Sequence, residues 1–280
     1  MFNHLSDLKK AGLFYVVVMS LSLVIVLLFR ALAPRAEFVV LINTLTPLLA
    51  VVLMLLVFTR DGHRRAGWSA LGLGQSGRRL WGLALLLPLL VLGVSFGLTW
   101  LTRGATFALP TEAGGLPNLL ISWLPKFLIV TVFALSEEIG FRGYLLPRLK
   151  DLGTNRALIL SGFLFGTWHL PLIFLTPFYI GDGNRLLTVP IFLLLITAAG
   201  IIYGVMRLQS DSIWPSTILH GAFNSMLGIF EALTVMSTPF VIYLVGESGL
   251  LTLLATAAVA LWLTRRRGST VSLTPILEEA

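Results

Sequence analysis

A polytopic all-α membrane protein, a bundle of about eight transmembrane helices, is the fold class this sequence predicts. Three observations predict it. Hydrophobic residues fill 56% of the 280 positions and charged residues only 12%, about half the charged share of an ordinary soluble domain. Mean hydropathy is +0.91. The apolar residues come in separate runs of about 20, the length a helix needs to cross the hydrocarbon core.

The first run, 12–32, follows Lys9 and Lys10 and ends at Ala31-Leu32-Ala33, which resembles a signal-peptide cleavage site. Pro34 directly after that site, together with the length of the run, argues for a retained helix. Residues 38–59 form the second run. The connection after it, RDGHRRAGWSALGLGQSGRRL (60–80), has arginines with Trp68 and Trp81 and suits a segment lying on the membrane surface. Further spans follow at 81–102, 119–147, 156–176, 186–206, 212–233 and 239–264. Gly162/Gly166 and Gly200/Gly204 are small residues four apart that permit close helix approach. No repeat or soluble domain interrupts the pattern, so 1–280 reads as a single polytopic domain with a loose cytoplasmic tail at 268–280.

Loop charges orient the bundle. Fourteen of the twenty Lys and Arg fall on one side: Lys9, Lys10, Arg60, Arg64, Arg65, Arg78, Arg79, Arg148, Lys150, Arg156, Arg207, Arg265, Arg266 and Arg267. Arg30, Arg35, Arg103 and Arg185 fall on the other, while Lys126 and Arg142 lie within spans. Both termini are then cytoplasmic, which needs an even number of spans. The net charge of +7 belongs to these loops and to anionic headgroups rather than to a nucleic-acid partner. With no cysteine, thiolate metal sites, iron–sulfur clusters and cysteine nucleophiles are excluded.

Ionisable groups inside a span cost about 2.5–3.5 kcal/mol at the helix centre, so each needs an account. Glu137, Glu138 and Arg142 lie in the fourth span, His169 in the fifth, and His220 with Asn224 in the seventh. Glu137 is about ten residues, roughly 15 Å, from the cytoplasmic end of its helix. His169, His220 and Asn224 fall at a similar level on theirs, which favours one shared site. Glu138 and Arg142 are four apart on one helix face and can pair. Glu137 is rotated about 100° away and is left as the free carboxylate. His220 and Asn224 share a face, as do Phe165 and His169. Lys126 is expected to snorkel, and Glu231 and Glu247 to be solvated toward the outer face.

EEIGFRG at 137–143, FGTWH at 165–169 and HGAFN at 220–224 resemble, in order and in placement on helices, the motifs of the CPBP family. That family groups type II CAAX prenyl endopeptidases with Abi bacteriocin-processing and self-immunity proteins. The resemblance covers roughly residues 115–235. It implies an intramembrane endopeptidase, a hydrolase of eight spans with a cavity open to the cytoplasm. Catalysis would fall to Glu137, His169, His220 and Asn224, supported by Glu138, Arg142 and Phe165. Glu137, in a low-dielectric cavity, would act as general base, and with His169 would orient and deprotonate water. His220 and Asn224 would donate to the oxyanion, at about 3–4 kcal/mol per donor.

A metal-dependent version has Glu137, His169 and His220 as a two-His, one-carboxylate set for Zn2+, although there is no HExxH. A proton-coupled transporter and a proteolytically silent immunity or scaffold protein remain as other classes. The expected partners are the bilayer and a peptide or protein substrate, lipidated or not. The expected location is a prokaryotic inner membrane.

Overall fold

The computed structural model describes residues 4–32, 36–110, 114–176 and 183–266. Arg35, Arg267, the Ala33-Pro34 site and the 268–280 tail lie outside the described residues. Helix dominates: α1 (Asp7–Leu32), α2 (Ala36–Asn43), α3 (Thr46–Leu53) continued by a π-helical turn at Met54–Phe58, α4 (Arg65–Ser69), α5 (Trp81–Leu101) and α6 (Gly115–Glu138). A second π-helical stretch, Ile139–Leu145, joins α6 to α7 (Leu146–Arg148). Then come α8 (Thr154–Trp168), α9 (Leu170–Leu175), α10 (Arg185–Ser210), α11 (Trp214–Ala232) and α12 (Leu250–Arg266).

Local chemistry sets many of these ends. Pro47, Pro171 and Pro215 stand in the first turns of α3, α9 and α11, where the missing N–H costs nothing. Asn184 caps α10, its side chain accepting from the Leu186 N–H at 2.9 Å.

Six stretches are long and apolar enough to cross a membrane among the described residues: Asp7–Ala31, Phe38–Phe58, Arg78–Leu101, Gly115–Arg148, Thr154–Leu175 and Arg185–Ser210. The second is broken by a turn at Thr44-Leu45. α11 and α12 are not among the six, so the expected count of about eight is not reached by this measure. The span expected at 239–264 is corrected: residues 239–243 form a 3-10 turn and the helix starts only at Leu250. Gly246, Ser248 and Gly249 interrupt the apolar run there, and glycine is the poorest helix former after proline.

α6 shows the inside-out logic of a membrane helix. Ile121 and Val132 are 73% and 67% exposed and Leu128 also faces outward, whereas Ser136, Glu137 and Glu138 at its inner end are buried. Apolar side chains face lipid and polar ones face protein, as an integral membrane protein requires. α10 packs against α8, α11 and α12, and α11 against α5 and α6. At the α8–α10 crossing the backbones meet at Gly162 and Gly200: a Cβ on Gly200 would stand 2.5 Å from Gly162 Cα. Opposite the basic end, β1 (Ala105–Phe107) pairs antiparallel with β2 (Thr234–Met236), a small ribbon the all-helical expectation lacked.

The basic loops gather at one end, where Lys10 pairs with Asp61 at 2.9 Å and Lys150 with Asp7 at 3.7 Å. Arg148 and Arg207, counted from sequence as loop charges, are instead buried. Arg207 donates to the Ala70 carbonyl at 3.1 Å, and Trp214 Nε1 to Leu73 O at 3.1 Å. The 70–75 part of the long connection is therefore held on the ends of α10 and α11. Trp68 and Trp81 keep the partial exposure expected of interfacial aromatics, as does Trp262 near the end of α12.

Candidate active site

The buried polar cluster is built where the end of α6 meets α11. Glu138 and Arg142 pair along one helix face, Oε1 accepting from Nη1 at 3.1 Å with neither side chain exposed. α11 brings His220 to the same carboxylate, with Nδ1 3.0 Å from Glu138 Oε1. The other ring nitrogen faces the neighbouring acid: Nε2 lies 3.9 Å from Glu137 Oε2, beyond a hydrogen bond. One imidazole is thus set between two glutamates. This accounts for Glu137, which Arg142 does not reach, and adds a partner to Glu138 that helix spacing alone could not supply.

Aromatic rings wall the cluster. Arg142 lies 4.5 Å from the Phe165 ring centre and 4.9 Å from that of Tyr203, a favourable place for a desolvated guanidinium. Tyr203 stacks on His220 at 5.0 Å with planes 15° apart. Phe165 stands edge-on to His169 at 5.0 Å and to His220 at 5.7 Å, so it separates the two imidazoles. His169 is buried, its Nδ1 3.0 Å from the Phe165 carbonyl, which a carbonyl can only accept. In the neutral ring, that leaves Nε2 as the acceptor nitrogen.

Asn224, one turn beyond His220, is exposed and lines a cavity of about 410 Å³ shared with Lys126, Gly228, Glu231 and Glu247. The cavity lies toward the C-terminal end of α11, away from the basic loops, whereas the resemblance implies an opening on the cytoplasmic side. Glu247 is half-buried in its wall rather than fully solvated.

Of the seven expected residues, the structure brings Glu137, Glu138, Arg142, Phe165 and His220 into one cluster. His169 joins it through Phe165, and Asn224 stands at the adjoining cavity. Sequence reasoning missed Tyr203 and Glu247. A tyrosine between the two glycines of GIIYG was a usable signal for the first; for Glu247 there was none. The alternative zinc set does not close: among the described residues, no three of His, Asp and Glu are grouped to hold a metal ion.

Residues 118–226 match the family described as Type II CAAX prenyl endopeptidase Rce1-like. This segment is similar to that family. It runs from α6 into α11 and contains all seven expected site residues and Tyr203, while β2, Glu247 and α12 lie beyond it. The Rce1-like match supports an intramembrane endopeptidase of the CAAX type, a peptidase acting on protein or peptide substrates in a membrane. No match was found among curated proteins.

Proposed function

We propose that this integral membrane protein hydrolyses a peptide bond near the membrane with glutamate-activated water. The observation that carries the reading is the meeting of His220 with both glutamates across 82 residues of chain. Such a contact has no helix-forming purpose, and burying these charges is costly unless they do something together. Glu138, taken by Arg142 and His220 Nδ1, orients the imidazole. Glu137 has no such partner and serves as the base.

A water about 2.8 Å from both Glu137 Oε2 and His220 Nε2 fits the apex over their 3.9 Å separation. Glu137 takes its proton as the oxygen attacks the scissile carbonyl, and the carbonyl electron pair moves onto oxygen. His220 Nε2, when protonated, and the Asn224 amide donate to that oxyanion. With His220 protonated, two carboxylates face one guanidinium and one imidazolium, leaving the cluster neutral. Collapse of the intermediate breaks the C–N bond, and Glu137 returns its proton to the leaving amine. His169 packs edge-on against Phe165 and so fixes that ring beside His220.

The substrate is a protein or peptide, lipidated or not, whose cleavable segment reaches the cavity at Asn224. We read both termini as cytoplasmic, which the basic loops at one end support, and the membrane as a prokaryotic inner membrane.

The test compares membrane peptides by mass spectrometry in cells expressing the wild type or Glu137→Gln. Fragments present only with the wild type are expected. Identical peptide sets would overturn the proposal, and proton-driven ion flux by the purified protein in liposomes, without cleavage, would assign these residues to transport.

A further inference from the structure

At the basic end a cavity of about 490 Å³ is lined by Lys10, Arg60, Arg64 and Arg148 with Asp7 and Asp61. Four cations face two carboxylates, an excess of two positive charges. Asp61 is shared, 2.9 Å from Lys10 Nζ and 3.6 Å from Arg148 Nη2. Arg60 and Arg64 have no ion pair among the described residues.

Two further observations point to a ligand. Arg148 is only 6% exposed, and its guanidinium lies 3.5 Å over the Tyr144 ring, with Nη1 donating to the Tyr144 carbonyl. Its buried Nε has no hydrogen-bond partner among the described residues, although a cation so enclosed ordinarily satisfies its donors. Arg60 holds a left-handed backbone, φ 57°, which non-glycine residues rarely adopt and which tends to persist at ligand clamps.

Position names the ligand. The lining residues come from the start of α1, the connection between the π turn after α3 and α4, and α7, where apolar spans end. Trp68, partly exposed, hydrogen-bonds the Gly62 carbonyl beside them. Trp at that level marks the interface, and basic pockets there suit anionic headgroups.

We propose that this cavity binds the phosphoryl group of an anionic phospholipid. Arg60 and Arg64 meet the phosphate oxygens, the buried Arg148 adds its charge from the cavity wall, and Asp61 keeps Lys10 and Arg148 in place. The acyl chains extend over neighbouring lipid-facing side chains such as Leu56 and Val57, which are exposed.

Thermal unfolding of the full-length protein in neutral detergent tests this, with titration of short-chain phosphatidylglycerol, phosphatidylcholine of equal chain length, and inorganic phosphate. Phosphatidylglycerol alone should raise the midpoint saturably. The double variant Arg60→Gln/Arg64→Gln should bind it about 30-fold more weakly, with its lipid-free midpoint unchanged. If that midpoint falls, Arg64→Glu alone is titrated and should show the same weakening. Equal shifts from phosphatidylcholine, or from inorganic phosphate at the same concentration, would overturn the headgroup assignment. So would wild-type affinity in the variants.

Discussion

Glu137 and Glu138 are chemically identical neighbours, and their surroundings divide them. Glu138 accepts from Arg142 and His220, while Glu137, among the described residues, has only the longer approach of His220 Nε2. Glu137→Gln keeps the shape and removes the base, so cleavage should fall to background while the unfolding midpoint in detergent stays within a degree or two. Wild-type turnover by this variant would remove Glu137 from the chemistry. Arg142→Ala does the opposite kind of damage, since it strands a buried carboxylate and empties the slot between Phe165 and Tyr203. A loss of about 3–5 kcal/mol is expected, visible as a large drop in unfolding temperature along with activity. Asn224, at the cavity, is an amide donor and a poor zinc ligand. Asn224→Ala should lower kcat by about 10²–10³ with KM little changed, and exhaustive chelation should leave the wild type active. Inactivation by chelators that zinc reverses, with a harmless Asn224→Ala, would favour the metal-dependent reading.

At the scale of elements, the crossing of α8 and α10 sets how closely Arg142 can be enclosed. A methyl on Gly200 would lie 2.5 Å from Gly162 Cα and 2.9 Å from Arg142 Nη2, whereas one on Gly93 of α5 meets nothing within 4 Å. Gly200→Ala should therefore cost about 1–3 kcal/mol by overpacking and lower activity with it, because separating the helices loosens the guanidinium. Gly93→Ala should be neutral or slightly stabilising. Equal midpoints for the two variants would mean that the helices can part without penalty. The π-helical stretch after Glu138 belongs to this scale too. It carries Arg142 and the buried Phe141 and Tyr144, and such segments recur at functional sites because they re-aim side chains within a continuous helix.

For the whole molecule, the basic end and the ribbon end give the bundle opposite faces. The absence of native cysteine makes this directly measurable, because single cysteines can be introduced and labelled with a membrane-impermeant reagent. Ser69→Cys and Thr264→Cys, near the basic end, should be labelled only after the membrane is opened from the cytoplasmic side. Thr102→Cys, beyond α5 at the ribbon end, should be labelled in intact cells. The reverse pattern would invert the proposed topology and put the headgroup cavity in the outer leaflet.

The sequence by itself determined the membrane class, the approximate extent of the six apolar stretches through α10, and the Glu, His, Arg and Asn positions from which the proposed site is assembled. It also paired Glu138 with Arg142. These are local properties: hydropathy accumulates along a run, and residues four apart share a helix face whatever surrounds them. Tertiary structure decided that His220 reaches both glutamates, that Tyr203 covers it, that Arg148 and Arg207 are buried, and that residues 239–249 do not extend α12. Each depends on where one helix crosses another or on which carbonyl lies across a gap. Such choices are set by packing between segments far apart in the chain and leave no periodic trace within either one.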